Sequence, residues 1–281
     1  MSINLYHDAS YGMSALLTNM YSTSFSLGIK AFAKDLQGPI YAIYGYVRLA
    51  DEIVDTFHGH DKATLLSEFR QETVRAIETG LSTNPVINAY QKVVNKYNIS
   101  WELTEAFLSS MERDLTESSY ARSAYDEYIY GSAEVVGLMC LNVFVNGDRE
   151  KYKQLEHSAK MLGSAFQKVN FLRDIKSDID ERGRIYLPNV DSLGGITDQS
   201  KKMLEDEVQK EFDDALAGIK KLPMGAKLGV YSAYLYYLFL FKKIKSTNVN
   251  SLMQKRVRIS NFKKILLLLK SVIEVKVFKV T

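Results

Sequence analysis

Four prolines, Pro39, Pro85, Pro188 and Pro223, are all that interrupt a chain of 281 residues, and between them apolar residues recur at helical spacing. A proline inside a helix removes one backbone hydrogen bond and crowds the turn before it, so their scarcity leaves most of the chain open to long helices. Alternating, strand-like runs are scarce. The periodicity predicts helices over roughly 11–33, 39–57, 61–80, 84–97, 101–117, 124–145, 149–181, 198–221, 224–246 and 258–277. The breaks fall at "QGP", "FHGHD", "STNP", "VNGD" and "ERGRIYLPNVDSLGG". No Gly/Ser linker, low-complexity tract or fixed-period repeat divides the chain. The expectation is an all-α protein, residues 1–281 forming one domain.

At 46% apolar composition such a chain can bury a large core. Its one cysteine, Cys140, excludes an internal disulfide and a Cys-rich zinc site, which makes a reducing, cytoplasmic compartment the expected one. The start, "MSINLYHDAS", has neither the basic residues nor the apolar run of a secretory signal. "ILLLL", Ile265 to Leu269, falls far short of the roughly 18–20 apolar residues that span a bilayer. Charge is unevenly placed. From Lys242 onward there are eleven Lys or Arg against Glu274 alone, so this tail carries +10 and the remainder −7 within a net +3. Such a tail suits an anionic membrane surface or a polyanionic ligand, and a merely solvated basic helix is as good a reading. No nucleic-acid-binding motif accompanies it, and nucleic acid is not an expected partner.

Two helices carry carboxylates on their apolar side. In "GPIYAIYGYVRLADEIVD", with Pro39 suited to the first turn, Ile40, Ile43, Tyr44, Val47 and Val54 form one stripe. Asp51 projects into that stripe, Asp55 lies at its edge, Arg48 just beyond, and Glu52 points away. In "NFLRDIKSDIDERGRIYLP" and the residues before it, Gln167, Asn170, Asp174 and Asp178 line a polar strip bordered by Phe166 and Phe171, with Arg173 at its other edge. Uncompensated buried charge is very costly, so these aspartates need cations. An internal salt-bridge network would supply them; so would a metal. Oxygen-only donors, with no His or Cys nearby, favour a hard cation such as Mg²⁺, which usually bridges a few carboxylates to substrate phosphates. Arg48 and Arg173 would make bidentate contacts to the same phosphate oxygens. His58 and His60 in "FHGHD" are too few for a site and read as solvated loop residues. Cys140, in "GLMCLNVF", reads as a packing residue.

These segments, with "YSTSFSLG", "AIYGYVRLADEIVD", "YIYGSAEVVGLM", "LGSAFQKVNFLRDIKSDIDERGRIYLP" and "KRVRIS" in that order, resemble the squalene/phytoene synthase family, the head-to-head prenyl transferases. The likeness covers about residues 18–260. It implies an isoprenoid-synthase fold, helices around a central cavity, with Mg²⁺ as cofactor and Mn²⁺ able to substitute. By that resemblance Asp51 and Asp55 are the first metal-binding set, and Asn170, Asp174 and Asp178 the second. Arg48, Gln167, Arg173, Tyr44, Tyr21, Ser24 and Phe25 match substrate-contacting positions. Tyr128 matches a cavity tyrosine near the reacting carbons, Arg184 and Tyr186 the flap after the second motif, and Tyr237 and Arg256 the C-terminal tyrosine and arginine. One departure is Glu134, where many relatives carry a small residue; its carboxylate must face away from the cavity or pair with a base.

The family's chemistry joins two prenyl diphosphates through a cyclopropylcarbinyl diphosphate to a linear hydrocarbon. Compact length and "RIYLP" resemble the bacterial carotenoid branch, so the expected product is phytoene from two C20 diphosphates, with no NADPH. Dehydrosqualene or squalene from two C15 diphosphates is the alternative, and squalene would need NADPH. A non-catalytic scaffold relative would be expected to have lost the aspartates, and a cyclase to carry Ser/Thr and Glu in its second motif. Water-insoluble substrate tails make peripheral membrane contact part of the expectation. Oligomeric state is not legible.

Overall fold

The structure, a computed structural model, describes residues 2–188, 190 and 197–277, with the side chains of Thr23, Ser24 and Arg182 outside the described set. Its helices are α1 (Ile3–Tyr21), α2 (Thr23–Lys30), α3 (Lys34–Asp55), α4 (Lys62–Thr79), α5 (Pro85–Tyr97), α6 (Trp101–Arg113) and α7 (Arg122–Ile129). A five-residue π-helical turn, Tyr130–Glu134, joins α7 to α8 (Val135–Phe144). Then follow α9 (Arg149–Arg182), α10 (Asp198–Ile219), α11 (Met224–Lys245), α12 (Val249–Gln254) and α13 (Asn261–Lys276). No strand occurs among the described residues; one isolated bridge pairs Ser119 with Ile185. Nor is any described helix long and apolar enough to cross a membrane.

The predicted helices are present, with five differences. The span read as one helix over 11–33 is two, because Ser22 is extended (φ −145°) and its side chain accepts a hydrogen bond from the Phe25 N–H, capping α2. The first of the two begins earlier, at Ile3. α3 starts at Lys34, so Pro39 lies inside the helix rather than in its first turn. The 124–145 span contains the π turn, and α12 was not anticipated.

Two apolar cores organise these elements. α3 packs against α1, α4, α5, α6 and α8, and in this core Tyr46 stacks on Tyr90 at 3.8 Å between centroids. α9 packs against α10, α8, α11 and α12 around Val208, Phe212, Leu240 and Phe241. Neighbours on so many sides explain why Glu52 does not reach solvent: it is buried, and the Arg48 guanidinium one turn back is its partner. Between the two cores runs a cavity.

Candidate active site

The cavity has a volume of about 380 Å³. Asp51 and Asp55 reach it from α3; Asn170, Asp174 and Asp178 reach it from α9. Both helices present these groups at four-residue spacing, one turn apart, so each contributes a short polar row to an otherwise apolar wall. The first aspartate lies nearest water: the Asp51 side chain is 34% exposed, whereas Asp174 is at 15%.

Arginines ring the carboxylates. Arg48 stands 3.8 Å from Asp51, pairs with Glu52, and lays its guanidinium 4.3 Å from the centre of the Tyr21 ring. Its Nε is buried without a hydrogen-bond partner. The Arg173 Nε donates to Asp174 Oδ1 at 2.9 Å, and Arg256, arriving from the C-terminal region, donates to Asp174 Oδ2 at 3.1 Å. The Tyr237 hydroxyl donates to Asn170 Oδ1 at 3.2 Å, while the Asn170 amide donates to Gln167 at 3.3 Å. Away from this polar mouth the lining is apolar, including Phe32, Phe144, Leu155 and Leu222.

Beside the first aspartates sits a group that the sequence did not announce. Asp114, just beyond α6, accepts hydrogen bonds from the hydroxyls of Tyr128 (2.8 Å), Tyr186 (2.9 Å) and Tyr120 (3.3 Å). Arg184 donates to the Asp114 main-chain oxygen, to Tyr186 Oη at 3.1 Å and to Asp55 Oδ1 at 2.9 Å. The cluster therefore ties the segment after α9 to the first acidic row. Burial pushes the Asp114 carboxyl up to about 6, held from going higher by the Arg184 charge and the tyrosine hydroxyls. Phe171 and Tyr186 stack at 4.2 Å and almost parallel, and Phe166 stacks on Tyr237 at 3.9 Å, giving the walls aromatic faces.

Of the residues singled out from sequence, Phe25, Tyr44, Arg48, Asp51, Asp55, Tyr128, Gln167, Asn170, Arg173, Asp174, Asp178, Tyr186 and Tyr237 line this one cavity. Tyr21 and Arg256 stand at its rim through Arg48 and Asp174, and Arg184 stands behind the wall. The Ser24 side chain lies outside the described residues. Cys140, expected in packing, is half-buried because one side of it faces the cavity, and burial pushes its thiol up to about 12. His58 and His60 are exposed, as solvated loop residues should be. Glu134 is not in the lining; the nearest cationic charges to it are Lys160 and Lys168.

The donor set suits a hard divalent cation that completes its shell with substrate oxygens. All five candidate ligands offer oxygen, and among the described residues no three His, Cys, Asp or Glu side chains converge into a protein-only cage. The orphaned Arg48 Nε–H at the mouth is a donor in want of an anion.

Comparison with known proteins gives this arrangement its context. The family model described as squalene/phytoene synthase matches residues 18–263. The chain belongs to the squalene/phytoene synthase family. That family consists of prenyltransferases. Similar proteins include phytoene synthase 2 of Solanum lycopersicum, 27% identical over 88% of this chain and 85% of the relative, and 15-cis-phytoene synthase of Synechocystis sp., 28% identical over 93% and 84%. Phytoene synthase 1 of Solanum lycopersicum is 25% identical, and this chain spans 64% of its length. In fold it is similar to a dehydrosqualene synthase solved with a ligand (TM-score 0.78, 21% identity, 94% and 96% of the two chains). A squalene synthase from Alicyclobacillus acidocaldarius gives a TM-score of 0.75 at 22% identity over 87% and 95%. The expected isoprenoid-synthase fold of the family is thus the one observed.

Proposed function

We propose that this chain is a phytoene synthase, condensing two geranylgeranyl diphosphates head to head with Mg²⁺ as cofactor, Mn²⁺ able to substitute, and no NADPH. One observation carries the reading: two acidic rows, more than a hundred positions apart in sequence, line the mouth of a single aromatic-walled cavity whose arginines include an unpartnered donor. The sequence relatives named phytoene synthase support the C20 branch. The fold neighbours named dehydrosqualene and squalene synthase keep the C15 alternative in view.

Asp51, Asp55, Asn170, Asp174 and Asp178 would hold the metal, which when bound supplies positive charge against the departing diphosphate. Arg48 and Arg173 act in the same direction. Each is paired with an acid in this structure, so a diphosphate can replace carboxylate oxygens on a guanidinium that is already oriented. Loss of diphosphate from the first substrate leaves an allylic cation; the double bond of the second substrate attacks it, and loss of a proton as the three-membered ring closes gives the cyclopropylcarbinyl diphosphate. A second ionisation and rearrangement follow, and loss of a proton yields the triene-centred hydrocarbon. The apolar lining keeps water from the cations, and the faces of Phe166, Phe171, Tyr186 and Tyr237 stabilise them. Tyr128, its hydroxyl engaged by Asp114, is held against the chamber rather than left to rotate. Peripheral contact with the inner face of a membrane belongs to the same reading, since the product is insoluble in water.

The test is to incubate purified protein with Mg²⁺ and either C15 or C20 diphosphate, with and without NADPH. Diphosphate release is followed, and the hydrocarbon extract is weighed by mass spectrometry. A C40 hydrocarbon formed without NADPH is expected. A C30 product replaces the reading with its alternative, and absence of diphosphate release from both substrates overturns it.

A further inference from the structure

Among the described residues, α13 is the helix that combines an exposed apolar face with neighbouring positive charge. Its inner side packs on α11 through Leu267, Ser271 and Val275, all buried. Its outer side carries Phe262, Ile265, Leu266, Leu269, Ile273 and Val277 at the helix end, all exposed, with Phe262 at 72% and Val277 at 68%. At 100° per residue these six fall within an arc of about 120°, opposite the buried side. Lys263 and Lys270 border one side of the arc, Lys270 near Glu274, and Lys276 lies within the arc, while the Lys263 and Lys264 ammonium groups rest over the rings of Phe239 and Tyr236. A solvated face would not carry six large apolar groups in one row. α1 has exposed apolar residues too, Leu5, Met13, Leu16 and Met20, but no Lys or Arg.

Beneath α13 lies a second, smaller cavity of about 60 Å³. It is walled by Leu267 and Leu268 of α13 and by Gly28 and Gly229, and it shares Phe25, Phe32, Ala233 and Tyr237 with the reaction cavity. A Cβ at Gly229 would lie 2.3 Å from the Phe32 ring, so glycine there is what lets that ring form the common wall.

We propose that α13 lies in the plane of an anionic lipid surface, apolar arc down and lysines among the headgroups, and that the seam beneath it opens the reaction cavity toward that lipid. Helices that combine an apolar face with a cationic rim bind in this way without spanning the bilayer. Charge decides against a second copy of the chain as the occupant. The segment from Lys242 carries +10, and pairing two such surfaces would set like charges against each other, whereas an anionic membrane neutralises both. The binding surface gives a place to the peripheral contact in the functional reading above, and what passes through the seam rests on that reading.

The full-length protein is sedimented with vesicles of 30% phosphatidylglycerol in phosphatidylcholine and with vesicles of phosphatidylcholine alone. Partitioning at least tenfold stronger to the anionic vesicles, weakening with salt, is expected. The Leu269→Glu/Ile273→Glu variant should lose at least tenfold of that partitioning, with unchanged helical circular dichroism. A Phe262→Trp reporter in a Trp101→Phe background should be quenched by brominated lipid. Equal partitioning of wild type and variant, or self-association without vesicle binding, overturns the proposal. For the seam, Leu268→Trp should leave the first turnover intact and slow later ones at least fivefold in the vesicle assay; equal rates throughout overturn that part. Diphosphate release in detergent is scored separately, so a protein that turns over without binding vesicles sinks this inference alone. One that binds vesicles without turning over sinks the functional reading instead.

Discussion

Asp114 shows what a single residue can hide. In "MERDLTESSY" it reads as one surface acid among several, because apart from Tyr120 its partners lie elsewhere in sequence: Tyr128, Arg184 and Tyr186. The motif aspartates were legible for the opposite reason, since their spacing sets them on the apolar side of their own helix and no neighbour need be known. Asn at position 114 keeps the shape but turns an amide donor toward hydroxyls that are themselves donors, and leaves the buried Arg184 with one anion fewer. Asp114→Asn is therefore expected to cost about 2–4 kcal/mol of stability in urea unfolding. It should also lower turnover at least tenfold by loosening Tyr128. Unchanged unfolding would mean that the cluster does not bear on the fold. Asp174→Asn should behave differently: turnover falls by at least a hundredfold while stability drops by no more than about 1–2 kcal/mol, because the site is partly open and water can solvate the released Arg256. Kinetics and unfolding measured on the same sample distinguish the two.

At the scale of elements, the periodicity located helices well and their local departures poorly. Ser22 breaks the first helical span by capturing the Phe25 N–H, a local competition that apolar spacing does not register. The π turn at Tyr130–Glu134 is likewise a matter of tertiary fit. It lies where three glycines allow backbones to approach: a Cβ at Gly131 would be 2.5 Å from the Ala106 carbonyl oxygen, one at Gly163 2.6 Å from that of Ala133, and one at Gly137 2.7 Å from that of Ala159. Those contacts bring α6, the π turn, α8 and α9 together at the cavity wall, which Ala133, Gly137, Ala159 and Gly163 help to line. The obstructing atoms are main chain and cannot rotate away. Gly163→Ala should therefore destabilise by about 1–3 kcal/mol, the usual cost of overpacking. Gly12→Ala, exposed in α1 with nothing within 4 Å, should gain up to about 1 kcal/mol through the ordinary helix preference for alanine. If calorimetry shows both glycines equally tolerant of alanine, the close approach has no energetic weight.

The whole molecule adds a dependence on pH that neither motif nor helix discloses. Behind the cavity, α7, α9 and α10 share a charged layer, buried at Lys168 and Glu211 and open to water at Arg122: Lys168 pairs with Glu207 at 3.2 Å and with Glu211, Ser164 donates to Glu211 at 2.8 Å, and Arg122 closes on Glu207. That the Lys168 side of α9 meets α10, not water, follows only from the assembled fold. Glu134 faces this layer instead of the cavity, with Lys160, Lys168, Glu211 and Asp126 around it. Burial pushes its carboxyl up to about 7, from an ordinary 4.5, more than the two lysines pull it down. The unfolded chain therefore releases this proton near pH 4.5 and the folded chain only near pH 7. Below that window the two states hold the proton alike. Across it the folded state binds more protons, so stability declines as pH rises. Allowing for partial solvent screening, the decline is about 1 kcal/mol for this group between pH 5 and pH 8. Glu134→Gln, neutral throughout, should remove it: relative to wild type the variant gains about 1 kcal/mol at pH 8 over its standing at pH 5 in urea unfolding. A difference that stays constant across that range would mean that Glu134 is ionised in the folded protein from the outset, and that the lysines, not burial, govern it.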